Sequence, residues 1–140
     1  GPEAMDDILT RESGWLGLSG VSADFREVEE AAARGNARAR LALEVLVHRL
    51  KKYVGAYAAV MGGLDALVFC GGIGEKSAQL RSAVCRGLEF LGLRLDERQN
   101  AAALPDSVLS AAGSPAKVLV VRTDEGLYIA RDTCRMVKEA

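Results

Sequence analysis

The run from Ala66 to Ser77, ALVFCGGIGEKS, constrains what this chain can fold into more than any other stretch. Ala66 to Cys70 is continuously apolar, without the alternation of a half-solvated strand, and that pattern predicts a strand covered on both faces in a parallel sheet. Gly71, Gly72 and Gly74 then break the run, and a helix is expected to follow. An apolar strand, a glycine turn and a helix start is an arrangement many proteins use to hold phosphate. Two common phosphate motifs come close, and neither is met. The dinucleotide fingerprint G-x-G-x-x-G finds Gly72 and Gly74 but has Ser77 in its third place. The P-loop G-x-x-x-x-G-K-[ST] finds Lys76 and Ser77 but has Glu75 where glycine is required, and a carboxylate there would oppose a phosphate.

The flanking periodicities extend this into an α/β architecture. A helix is predicted from about Ser77 to Leu91, with Leu80, Val84, Leu88 and Leu91 as its inner stripe. A second apolar strand, Lys117 to Val121, follows a connection containing Pro, Ser and Gly, and strand–helix–strand at this spacing reads as a right-handed crossover unit. LGLRLD, residues 91–96, is a candidate short strand between them. Asp124 to Glu139 reads as a closing helix with Leu127, Ala130, Thr133 and Val137 on one side. Upstream, Asn36 is placed to cap a long helix in which Leu43, Leu46, Leu50, Val54, Tyr57 and Met61 recur every three or four residues, until Gly62-Gly63 stop it. At ~1.5 Å per residue that helix approaches about 40 Å. Before it, Asp24 or Ser22 caps a short acidic helix, FREVEEAAARG, ending at Gly35. From about Ile8 to Asp24 the chain is rich in Gly and Ser and reads as irregular, pinned by Trp15, Leu16 and Leu18. Two or three strands leave an unpaired edge, so the chain is expected either to pair with a partner or to be a piece of something larger.

Composition narrows the function. With 140 residues there is length for one core. Lys plus Arg total 18 against 19 Asp plus Glu, a net charge of −1. That balance argues against a nucleic-acid or membrane-surface protein, whose footprint is a basic excess. At 5% aromatic content there is little to stack on single-stranded nucleic acid. The start, GPEAMDD, has neither the basic nor the apolar segment of a signal peptide; residues 1–7 are read as a tag remnant or a disordered start. Cys70, Cys85 and Cys134 are widely spaced, with no C-x-x-C pair, and are expected as buried, reduced thiols of a cytoplasmic protein. His48, the single histidine, is expected on the surface or core edge of the long helix.

Three blocks together resemble the acetate kinase family in order and spacing: SGVSADFREVEEAAARGNARARLALEVLVHRLKKYVGAYAA, then LDALVFCGGIGEKSAQLR, then VRTDEGLYIARDT. The resemblance runs from near Leu9 to about Asp132, and its subject is the carboxyl-terminal third of such a kinase. It implies a partial actin-like, sugar-kinase-type lobe over 8–140, a small mostly parallel sheet flanked by long helices, with the final helix from about 124. It also implies that the magnesium asparagine, the substrate-binding arginines, the catalytic aspartate and a transition-state histidine belong to an amino-terminal portion, leaving no catalytic residue among these. By the resemblance, Asp24, Phe25 and Arg26 match a D-[FLM]-R triplet that contacts the adenosine end of ATP. The residues themselves equally allow Asp24 to cap a helix and Arg26 to pair with Glu29 or Glu30. Gly72, Ile73, Gly74, Glu75 and Lys76 match the GIGEN loop beside the adenine and phosphates, where glycines let backbone approach the ligand and the next helix offers N–H groups; the same glycines also suit a plain strand-to-helix turn. Glu125 matches the glutamate of a T-N-E-E motif that helps hold Mg²⁺ through water, an oxygen ligand of the kind that ion takes. It equally suits a first-turn helix glutamate.

The sequence departs from the family pattern at three places. Lys76 stands in place of the usual asparagine, Asp124-Glu125-Gly126 replace Asn-Glu-Glu, and Arg122 replaces a usual proline. The implied reaction is acetate plus ATP to acetyl phosphate plus ADP, with the isolated segment inactive. The alternatives are a propionate or butyrate kinase lobe, or a non-catalytic assembly module, since dimers in this family meet through this lobe. A homodimer is the expected state.

Overall fold

The computed structural model describes residues 1–139. They form two compact units, Gly1–Gly63 and the chain from Leu64 onward. The first is all helical. It contains α1 (Pro2–Asp7), a π-helical turn at Ile8–Glu12, α2 (Gly14–Ser19), α3 (Phe25–Ala33) and α4 (Ala37–Met61). Every residue of α1 is exposed. Between Ile8 and Asp24, where the Gly/Ser-rich composition predicts irregular chain, helical turns form instead. The glycines punctuate those turns. Gly20 closes α2 in the left-handed region at φ 65°, its N–H donating to Leu16 O, while Ser19 Oγ donates to Trp15 O at 2.6 Å.

Two caps foreseen in the sequence set the larger helices. The Arg26 N–H donates to Asp24 Oδ1 at 2.8 Å, and the Ala39 N–H donates to Asn36 Oδ1 at 3.0 Å, each satisfying a donor the helix start leaves open. The core between α3 and α4 is made of small residues, Val28, Ala31, Ala39 and Ala42, with Trp15, Ala32 and Leu43 packed around it. Alanine on both helices lets them approach closely. Trp15 meets Phe25 edge to face at 5.5 Å. The leucine stripe of α4 is less covered than its periodicity implies: Leu43, Leu46, Leu50 and Val54 are half-buried, and Tyr57 and Met61 are each 63% exposed. His48 is exposed.

The second unit carries β1 (Ala66–Phe69), α5 (Gly71–Lys76), α6 (Ala78–Cys85), a 3-10 turn at Glu89–Leu91, α7 (Glu97–Ala101), β2 (Ser107–Val108), β3 (Lys117–Val120) and α8 (Glu125–Glu139). The sheet order is β1-β3-β2. β1 and β3 run parallel with Ala66 opposite Lys117 and Phe69 opposite Val120; β2 is antiparallel to β3. The LGLRLD segment contributes single bridges, Leu93 to Ala116 and Leu95 to Ser110, in place of a strand. Phe69, Leu80, Val84, Leu88, Leu93, Leu109, Val118 and Val120 form the core. β1 is an edge strand and its Val68 is 48% exposed, so the expected cover on both faces is only partial. The predicted 77–91 helix is cut short: the chain turns at Arg86 and Gly87, and Gly87 adopts φ 81°. The cysteine expectation needs correction as well. None of the three cysteines is in a disulfide, but only Cys85 is buried, while Cys70 and Cys134 are exposed.

Candidate functional site

The glycine turn is built at the carboxyl end of β1. Cys70 is extended, and Gly71 takes φ 70°, a conformation other residues adopt at a cost. The chain then winds into α5, so the stretch expected to be a loop is itself helical over six residues. The glycines differ in their surroundings. Gly74 is buried, and a Cβ on it would lie 3.3 Å from the Phe69 carbonyl carbon, a tight contact that favours glycine. Gly72 is exposed, has an ordinary φ, and a Cβ there would meet nothing within 4 Å. Neither packing nor backbone geometry accounts for glycine at that position. Ile73 is 36% exposed, and Lys76 is exposed.

α5 ends in a sharp break at Ser77, whose ψ of 96° leaves the helical region. Ser77 then caps α6 by accepting the Leu80 N–H at 3.1 Å. A break of this kind leaves the last carbonyls of α5 without their usual intrahelical donors. Arg81, only 2% exposed, supplies them. Its Nη1 donates to Gly74 O at 2.8 Å and Glu75 O at 2.9 Å. Its Nε donates to Asn100 Oδ1 at 2.7 Å, and its Nη2 to Asn100 O at 3.0 Å. Asn100 in turn donates through Nδ2 to Ala78 O and Ser82 Oγ. Burial pulls the Arg81 guanidinium below its ordinary pKa, against an opposing pull from Cys85. Arg81 is the last residue of the second block that carries the family resemblance, but neither it nor Asn100 is assigned a role by the sequence. The signal was nevertheless there: Arg81, Val84, Cys85 and Leu88 recur at i, i+3, i+4 and i+7, so Arg81 lies in an apolar stripe.

The start of α8 is tied to the same turn. The Thr123 N–H donates to Glu75 Oε1 at 2.9 Å, and the Gly71 N–H donates to Thr123 Oγ1 at 2.9 Å. Asp124 Oδ1 accepts from the Leu127 N–H at 3.1 Å, which fixes the first turn of α8. Glu125 is the first residue of that helix and is exposed. Thus the turn at 72–76 and the segment carrying Glu125 belong to one hydrogen-bonded structure. Among the described residues, no group of three or more His, Cys, Asp or Glu side chains could hold a metal.

Asp24, Phe25 and Arg26 lie in the first unit, at the head of α3. Phe25 is buried at 8% exposure beneath Trp15. Arg26 turns back on Asp24: Nη2 donates to Oδ2 at 2.6 Å and Nε to Oδ1 at 3.1 Å. The alternative in which Arg26 pairs with Glu29 or Glu30 gives way to a pairing with the cap itself. These contacts hold the Asp24 carboxyl down at about 2, with the side-chain bond from Arg26 the largest cause.

A likeness to known proteins covers nearly the whole chain. The acetokinase family model matches residues 1–131. An acetate kinase of Heliobacterium modesticaldum is 52% identical over 134 residues, covering 96% of this chain and 34% of its own length. One from Dictyoglomus turgidum is 52% identical over 138 residues, covering 99% of the chain and 34% of the relative. Among solved structures, Porphyromonas gingivalis acetate kinase matches with a TM-score of 0.86 at 44% identity, over 98% of this chain and 35% of that one. A propionate kinase from Francisella tularensis matches at 0.81 with 36% identity, over 93% and 33%. With its small three-stranded sheet among many helices, the chain has the α/β fold of a partial kinase lobe. It belongs to the acetokinase family. It spans about a third of the length of the curated relatives it matches.

Proposed function

We propose that this chain supplies the nucleotide side of an ATP-dependent acetate kinase, which passes the γ-phosphoryl group of ATP to acetate to give acetyl phosphate and ADP. The observation that carries this reading is Gly72, an exposed glycine that packing and backbone geometry leave unexplained and that a ligand approaching the backbone would explain. Around it, Ile73 offers an apolar face to a base, and Lys76 an exposed cation to phosphate oxygens. Asp24, Phe25 and Arg26 would meet the adenosine end, with Phe25 fixing the head of α3 from inside and the pair above it offering polar contacts. Phosphoryl transfer of this kind rests on positioning and on neutralising charge, which Mg²⁺ supplies when bound. Glu125 would touch that ion through water. Acetate-binding and catalytic groups fall outside these residues on the family pattern, so the chain alone should not turn over.

The test is a titration of the ¹⁵N-labelled chain with MgADP, which detects millimolar binding. Amide shifts concentrated at 24–26, 72–76 and 123–127 support the reading. Shifts scattered elsewhere, or none at about 10 mM, a concentration well above the Kd of about 1 mM of a weak site, would refute it. The likeness to a propionate kinase favours a second acceptor, propionate, for the same site; choice between acids lies with the acid-binding groups outside this segment. A non-catalytic assembly role is favoured by one observation, the exposed apolar residues along α4. It predicts self-association with no nucleotide response.

A further inference from the structure

We propose that Glu75, which the family pattern places among nucleotide-contacting residues, is a positioning residue. Its carboxylate holds the segment leading into α8 against the glycine turn, so that Gly72–Lys76 and the Glu125 segment are presented to a nucleotide as one piece. The inference rests on the nucleotide reading above. Glu75 Oε1 accepts the Thr123 N–H while Thr123 Oγ1 accepts the Gly71 N–H, a reciprocal link across 48 and 52 residues of sequence. The main chain of Glu75 is held from the other side, where the buried Arg81 donates to its carbonyl and to that of Gly74. The ladder adds a third tie two residues before Thr123, since the Val121 N–H donates to Phe69 O at 2.9 Å. Backbone and side chain of Glu75 are thus both committed to the protein. A carboxylate aimed at phosphates would repel them; one that accepts a backbone N–H at the turn's flank has a use that avoids this conflict.

The test compares Glu75→Ala with Glu75→Gln in the ¹⁵N-labelled chain, reading Thr123 amide exchange and the MgADP dissociation constant from shifts at Gly72 and Glu125. Glu75→Gln keeps an oxygen for the Thr123 N–H, and Glu75→Ala does not. We expect Glu75→Ala to speed Thr123 exchange about tenfold and to weaken MgADP about fivefold or more, in line with loss of one hydrogen bond. Glu75→Gln should stay within about twofold of the unsubstituted chain on both readings. Weakened MgADP binding with Thr123 exchange unchanged would mean that Glu75 touches the nucleotide, and would overturn the inference. Faster exchange with unchanged affinity would make the link structural only and would overturn it too, as would a glutamine variant that behaves like alanine. Should Glu75→Ala lose the dispersed Val118 and Val120 amides of the folded sheet, Thr123→Val removes the acceptor for the Gly71 N–H without altering any charge, and tests the other half of the same link: Gly71 exchange should speed and MgADP should weaken together, and either change alone would overturn the inference. An unsubstituted chain that gives no MgADP response fails before any substitution is made, and that failure belongs to the nucleotide reading.

Discussion

Four hydrogen bonds run from the Arg81 guanidinium to Gly74, Glu75 and Asn100, and the side chain that makes them is 2% exposed. Replacing it with methionine would keep apolar contact along the stem and leave buried carbonyls without donors. Each such group costs roughly 1–3 kcal/mol, so Arg81→Met should lose about 3 kcal/mol of unfolding free energy in a urea titration. A loss below about 1 kcal/mol would mean that water replaces the arginine freely. Lysine should recover only part of the loss, because a single ammonium cannot span acceptors on two elements as the fork does. Sequence reasoning missed this residue because arginine in a helix reads by default as solvated, although its place in the stripe of Val84, Cys85 and Leu88 argued otherwise. Asp24 was more legible, since an Asp before an acidic first turn is a strong cap signal. Its folded pKa of about 2 lies below the ordinary 3.8. A depressed carboxyl contributes stability that is fully present above 3.8 and is lost as the pH falls towards 2. Across that window Asp24→Asn, which can still cap the helix, should show a shallower loss of stability with falling pH than the unsubstituted chain. Parallel acid limbs in denaturant melts taken between about pH 5 and pH 2 would exclude this role for the pair with Arg26.

At the scale of elements, helices with a side-chain cap and a left-handed stop could be read directly. α3 and α4 begin where Asp24 and Asn36 foretold, and α4 ends at Gly62, which takes φ 76°. The glycine stretch could not be read this way. Glycine weakens a helix by about 1 kcal/mol relative to alanine, so GGIG read as loop. It winds into α5 because the Thr123 and Arg81 contacts, remote in sequence, hold it there. The same tertiary override explains α2, whose Trp15 and Leu16 are half-buried and supply the packing that its glycines do not. The α5–α6 junction has one local determinant that can be tested. Ser77 is buried at 6% exposure and caps α6 through the Leu80 N–H. Ser77→Ala should cost about 1 kcal/mol, and Ser77→Asp, which restores an acceptor but buries a charge, should be no better. Equal stability of the alanine variant would show that the break is set by Arg81 alone.

At the scale of the whole molecule, the fold class was legible because three sequence blocks in fixed order determine a family, whereas the exposure of its surfaces was not, because exposure depends on what covers them. α8 displays Leu127, Tyr128, Ile129, Met136 and Val137, each at least 43% exposed. α4 displays Tyr53 at 47%, Tyr57 at 63%, Val60 at 85% and Met61 at 63%. Apolar surface of this extent on a helix face is costly to leave in water, at roughly 25 cal/mol for each Å² that could be buried. Self-association through α4 would relieve it, and a two-fold pair needs only one self-complementary patch. Tyr53 and Tyr57 stack on one another at 6.5 Å and give that patch a rigid aromatic centre, the kind of residue that dominates interface energies. The half-burial of Leu46 and Leu50 makes them poor probes, because a charge there would disturb the helix's own packing. Tyr57 is the better probe. We predict that sedimentation equilibrium finds a dimer, and that Tyr57→Glu weakens it about tenfold or more, as expected for loss of an interface aromatic, with helical circular dichroism unchanged. A single monomeric mass up to several hundred micromolar, beyond the range of about 1–100 µM in which modest dimers form, would sink the dimer. A dimer that Tyr57→Glu leaves intact would move the contact off this face of α4, and Tyr128→Glu on α8 would then test the other exposed surface.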